Sequence, residues 1–211
     1  AGPTLPQPQK RPFYLLGVDV TPQPRVYART LSDRSFVHQP TVIRCNKPIT
    51  VGHQYSLAAA LPEKEAVKHP PAWVTPLAFQ RVGSQENKEL VGSRQFDQLL
   101  SDPKLPFQQA LCAEVDDSAF AVKPDFLHAN RKHANLIIIV RVRTNRTFYR
   151  VVRSDPPGEA GKGHPTWFGA PFRLSDASTW LAPDEEIQTT FTSRRGRSYS
   201  VVIQGCTSVA V

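Results

Sequence analysis

Apolar and polar residues follow one another along this chain in patterns that mark a short series of elements. The run Phe13 to Val20 is apolar and bounded by Pro12 and Pro22, which predicts a buried strand. Ile49 to Leu61 predicts a second, longer strand with small residues at its end. Trp73 to Val82 predicts a third, bent or at a sheet edge because Pro76 interrupts it. From Glu89 to Ser101 the residues Leu90, Phe96, Leu99 and Leu100 fall roughly on one face of a helix, and Asp102-Pro103 ends it. Ala110 to Asp117 predicts the next strand, and Pro124 to His133 a short helix with its proline in the first turn. Leu136 to Arg143 is the clearest strand, with the continuous apolar start of a buried central or parallel strand.

After Asn145 the pattern turns to strands, turns and loops. Phe148 to Val152 and Phe172 to Leu174 predict short strands, with a Pro/Gly-rich loop between them. Ile187–Thr192 and Tyr199–Ile203 predict a hairpin across Arg194, Arg195, Gly196 and Arg197, where the glycine tolerates positive φ. Three strands, a helix, a strand, a helix and a strand fit an α/β domain, a mixed five-stranded sheet with flanking helices, and a β-rich block follows. In that layout the first strand lies centrally, beside the strand that follows the first helix.

Two aspartates then stand out. Asp19 closes the first strand run and Asp117 closes the run from Ala110. An acidic residue at the end of an apolar strand is costly to bury unless it is paired or binds a cation. Two of them on neighbouring strands would invite a shared divalent metal and phosphodiester chemistry. The plainer alternative is that Asp19 caps the turn at Thr21-Pro22, and that Asp117 or Asp116 caps the element after it. Asp116 stands as an alternative to Asp117, since consecutive strand residues differ only in the face they point to.

Charge adds a partner. The net charge is +8 and the pI about 9.7, a balance that favours polyanions. Arg131, Lys132, Arg141, Arg143, Arg146, Arg150 and Arg153 occur with no acidic residue among them, interleaved with Asn145, Phe148 and Tyr149. That mixture suits a nucleic-acid backbone and unstacked bases. The hairpin turn with Arg194, Arg195 and Arg197 is a second basic tip. A solvated basic face and an ordinary charged turn are the plain alternatives.

Other chemistries find no support. The three cysteines, Cys45, Cys112 and Cys206, are far apart and form no C-x-x-C pair, so a disulfide framework is not expected. The six histidines show no metal-ligand spacing. No phosphate-binding loop, dinucleotide fingerprint or nucleophile elbow is present. No apolar run approaches the roughly 18 residues of a membrane span. Methionine is absent, even at position 1, which suggests a chain that begins inside a longer reading frame.

Several segments resemble bacterial insertion-sequence transposases of the DDE superfamily: Gly17–Pro24, Asn46–Tyr55, Val115–Phe120, Arg141–Tyr149, Gly163–Leu174 and Thr192–Arg197. The resemblance covers roughly residues 13–204. It implies an RNase H-like catalytic core at 13–146, preceded by a linker at 1–12 and followed by a β-rich insertion at 147–211. It further implies cleavage and strand transfer at element ends with Mg²⁺ (or Mn²⁺), DNA as partner, a cytoplasmic, nucleoid-associated setting without membrane, and a homodimer when full length. The family's first aspartate matches Asp19. Its second, in an Asp-Ser-Ala-aromatic motif, matches Asp117 rather than Asp116. The DNA-facing residues would be Arg141, Arg143, Arg146, Arg150, Arg194, Arg195 and Arg197. The family's third carboxylate follows the insertion. Glu185 and Glu186 fall inside it and are not promoted, so the expectation is a truncated core that is inactive alone. The rival expectations are a non-catalytic DNA-binding remnant and a different RNase H-like nuclease.

Overall fold

β1 spans Tyr14–Pro24 and buries Tyr14, Leu16 and Val18 at alternate positions, the period of a strand with one covered face. It comes from a computed structural model that describes residues 5–28, 30–38, 48–63, 74–122, 132–150, 169–193, 195–206 and 209–210. The chain divides into two compact units, Ala1–Arg141 and Val142–Val211.

The first unit is a mixed six-stranded sheet with one α-helix among its described residues. β2 (Ser35–His38), β3 (Ile49–Leu61) and β4 (Thr75–Val82) precede α1 (Lys88–Ser101). β5 (Cys112–Asp116) and β6 (Leu136–Val140) follow it. The strand order is β2-β3-β1-β5-β6, with β4 also pairing β3 beyond β2. β1 runs antiparallel to β3 and parallel to β5, so the expected central place of the first strand is what the sheet shows. The sheet has six strands rather than five because Ser35–His38, polar except for Phe36 and Val37, adds a strand. Only Val37 of those four is buried, too little apolar signal to read from sequence.

Both prolines of β1 are explained by the ladder. Arg25 N–H donates to Val51 C=O, so odd-numbered residues of β1 direct their N–H groups at β3. Pro22 and Pro24 therefore place their missing donors on the opposite side, past the point where β5 pairs. Pro76 sits at the register shift between Ala58 and Ala59, the bend its position predicts.

Asn87 caps α1 by accepting from the N–H groups of Glu89 and Leu90 at 3.0 and 3.2 Å. Val91, Gln95, Phe96, Leu99 and Leu100 face the sheet. Leu90, expected on the core face, is exposed. Gln95 reaches Ser56 of β3 in a buried hydrogen bond. At Gly92 the helix lies so close that a Cβ would stand 3.1 Å from Phe120 and 3.2 Å from Val18.

β6 is parallel to β5 as its composition suggests, but it is the last strand in the order rather than a central one. Among the described residues it pairs on one side only, and burial alternates along it, Leu136 buried and Ile137 and Ile139 half exposed on the other face. The strand ends at Val140, so Arg141 and Arg143 lie outside it. The helix expected over 124–133 falls almost wholly outside the described residues.

The second unit holds two small sheets. β7 (Thr147–Arg150) pairs with β8 (Pro171–Arg173) and β11 (Val209–Ala210). β9 (Glu185–Thr192) and β10 (Ser198–Gly205) form the expected hairpin, and Gly196 takes φ +77° in its turn.

Candidate active site

β1 and β5 pair from Tyr14↔Cys112 to Leu16↔Glu114. The same offset carried three residues further would set Asp19 opposite Asp117, at the same end of two parallel strands. Asp19 also stands in register with Leu57 on β3. Strand alternation decides which way each acid points. Leu16 and Val18 face α1 and are buried, so Asp19 points to the other face and is exposed. Cys112, Glu114 and Asp116 are buried in the same way, and Asp117, one residue past the strand end, is exposed.

Each exposed carboxylate is anchored by its own backbone. Asp19 Oδ1 accepts from Val20 N–H and Asp117 Oδ1 from Ala119 N–H, both at 2.8 Å. The second is an aspartate turn that starts the next element, so the capping role and a ligand role are compatible at Asp117. These are hard oxygen donors of the kind Mg²⁺ takes few of, with water and phosphate completing its shell. Among the described residues no group of three His, Cys, Asp or Glu gathers to hold a metal.

Asp116 is a different kind of residue. It is 7% exposed, and its Oδ1 accepts from the main-chain N–H of Val18 at 2.8 Å. Burial pushes its carboxyl up to about 7, against the pull of the Val18 bond, and the charges of Asp117 and Asp19 push the same way. The Val18 bond joins the residue before Asp19 to the residue before Asp117, so the three aspartates share one end of the sheet. Glu114, at 1% exposure, is pushed up to about 9 by burial and then by Asp116, so it is a neutral acid at neutral pH. The two side chains hydrogen-bond one another, and Glu114 Oε1 and Asp116 Oδ2 have no other partner among the described residues. Sequence reasoning missed Glu114. The signal was present in the alternation Cys112, Glu114, Asp116, which puts two acids on the phase of a buried cysteine.

The surface around Asp19 is aromatic and basic as well as acidic. Leu57 is in register with Phe79 of β4, and in the next row Thr21, Tyr55 and Arg81 line up. The rings of Tyr55 and Phe79 stack with centroids 5.1 Å apart and planes 5° from parallel. Arg81 pairs with Asp33. His53 contacts the carbonyl of Ser32 and the ring of Tyr55, a local structural role.

The arginines read from the sequence are divided between the two units. Arg141 belongs to the first unit, where its N–H donates to Asp116 C=O at 3.3 Å, beside the acids. Arg143 and Arg146 flank a turn and Arg150 ends β7, all in the second unit. Arg195 and Arg197 sit at the β9–β10 turn, and Arg194 lies outside the described residues. Glu185 and Glu186 are exposed on β9.

A family model described as DDE superfamily endonuclease matches residues 4–201. No curated protein and no solved structure matches the chain.

Proposed function

The chain belongs to the DDE superfamily endonucleases, and from that premise we propose that it is the catalytic core of an insertion-sequence transposase. In this reading residues 13–146 are the RNase H-like core and 147–211 its β-rich insertion. Asp19 and Asp117 would hold Mg²⁺ (or Mn²⁺), which when bound supplies Lewis-acid stabilisation of a reacting phosphate. The reaction class is cleavage at element ends followed by strand transfer to target DNA. Arg141, Arg143, Arg146, Arg150, Arg194, Arg195 and Arg197 would neutralise DNA phosphates, which makes affinity fall steeply with salt. The observation that carries the reading is the parallel pairing of β1 with β5, whose offset, if continued past Leu16↔Glu114, would set Asp19 opposite Asp117.

The test is Mg²⁺-dependent nicking of DNA carrying the element ends, for the intact enzyme and for Asp19→Ala and Asp117→Ala. Each substitution is expected to abolish cleavage, a loss of several kcal/mol of transition-state stabilisation, while salt-sensitive DNA binding persists. Cleavage that survives both substitutions would refute the assignment. The second reading, a non-catalytic DNA-binding remnant, is supported by the net charge of +8, which favours polyanions without a metal. It predicts binding without any Mg²⁺-dependent cleavage.

A further inference from the structure

We infer that Asp116 is a positioning residue that locks the ends of β1 and β5 together, so that Asp19 and Asp117 are presented to one ligand. The inference rests on the assignment of those two aspartates to a metal site. Its basis is where the ladder stops. Main-chain register between β1 and β5 is recorded up to Leu16↔Glu114, three residues short of the acids. Beyond that point no ladder pair joins β1 to β5, although the strands stay adjacent, a Cβ on Gly17 standing 3.1 Å from the Val115 carbonyl oxygen. Without a further ladder pair, the separation of the two tips depends on side-chain bonds.

The Asp116 side chain closes that gap. Its Oδ1 takes the Val18 N–H, which points toward β5 because the odd-numbered residues of β1 serve β3. Val18 directly precedes Asp19, and Asp116 directly precedes Asp117. One bond therefore links the residues that directly precede the two exposed acids, through the Val18 N–H on β1 and the Asp116 side chain on β5. On its other side Asp116 C=O accepts from Arg141 N–H after β6, so this residue ties three strand ends together. The bond is kept from water. Val18 and Asp116 are each 7% exposed, and α1 lies over Val18 and Phe120 at Gly92, where there is no room for a side chain. A buried bond of this kind holds geometry better than an exposed one, because no water competes for either partner. Outer residues that orient metal ligands commonly matter about 10–100-fold in metal affinity.

The experiment is a Mn²⁺ titration followed by the loss of the free-ion electron spin resonance signal. It uses the wild type, Asp19→Ala, Asp116→Asn and Asp116→Ala, with hydrogen exchange of the Val18 amide. Asn keeps an oxygen acceptor for Val18 and Ala removes it. Asp19→Ala and Asp116→Ala are expected to weaken Mn²⁺ binding by at least roughly tenfold, and Asp116→Asn to stay within about threefold of wild type. The Val18 amide should be protected in wild type and Asn protein, like the ladder amides of β1. If Asp116→Ala binds as wild type while Asp19→Ala does not, the positioning role is wrong and the metal site stands. If Asp116→Asn falls as far as Asp19→Ala, Asp116 is itself a ligand and the inference is overturned. If Asp19→Ala binds as wild type, the metal assignment fails and the inference with it. Should Asp116→Ala not fold, an unprotected Val18 amide in the wild type still overturns the inference, and protection shared by Asp116→Asn upholds it.

Discussion

β1 and the β9–β10 hairpin are written in similar residues and have opposite fates. In β1 the alternate residues Tyr14, Leu16 and Val18 are 6%, 0% and 7% exposed. In the hairpin Ile187, Phe191, Tyr199 and Ile203 remain about half exposed, although strand and turn form as expected. The difference is a second layer. β1 lies under α1 and between two strands, whereas among the described residues the hairpin is a two-stranded sheet whose large apolar side chains stay exposed. A two-stranded ribbon makes its own hydrogen bonds but little hydrophobic stabilisation. Apolar alternation thus specifies a strand, and only packing turns that strand into core.

The largest effect should come from the covered side. Leu16→Ala is expected to cost about 2–5 kcal/mol, the range for a buried leucine that leaves a cavity. Urea melts followed by tryptophan-independent circular dichroism would read it. A cost below about 1 kcal/mol would mean the layer over β1 is loose.

The same covered side carries a price in polar burial, and Glu114→Gln measures it. Glu114 rises from its ordinary 4.5 to about 9 in the fold, and Asp116 from 3.8 to about 7. For both acids the native state holds a proton that the unfolded chain releases. Their contribution to stability is therefore fully present below about pH 4, and is lost as pH rises through about 7 to 9. Glu114→Gln keeps the shape without the ionisation. It should raise stability at pH 8 by about 1–3 kcal/mol and change little at pH 4. An equal effect at both pH values would show that Glu114 does not titrate in this window. The exposed acids of other regions act in the opposite sense: hydrogen bonds from Ser84, and secondarily Arg81, lower Asp33, and Lys132 with His133 lowers Asp97. Their contributions grow as pH rises.

On the hairpin the effects shrink. Gly196→Ala places a side chain at φ +77° in open space, so the penalty is conformational alone, about 1 kcal/mol. It should show as lost strand pairing around Ser193 and Arg197 in amide exchange. Ile203→Ala should fall within about 0.5 kcal/mol, the usual range for exposed positions. A cost near that of Leu16→Ala would reveal a layer covering the hairpin in solution and would erase the contrast between the two regions.

Particular elements show how much was legible before the structure. β3 has both predicted ends, because its apolar run is long and bounded by turn residues. α1 was readable in extent but not in phase. Leu90 and Val91 are equivalent by composition, and packing against the sheet buries Val91 with Gln95, Phe96, Leu99 and Leu100. Asp19 and Asp117 could be picked as strand-end acids. Asp116, adjacent to one of them, could be judged only by which face of β5 is covered.

What the sequence by itself determined is local: period-two strands, the helix with its cap, the glycine of the hairpin turn, and acids at two strand ends. These follow from steric and hydrogen-bonding rules that act over a few residues. The tertiary structure alone decided that β1 and β5 become neighbours, that their parallel register brings Asp19 toward Asp117, and that Asp116 joins the strands from inside. Those facts join residues 98 apart in the chain. Such a closure is favoured only once α1 covers the sheet, because burial of Leu16, Val18 and Phe96 must first offset the entropy of closing so long a loop.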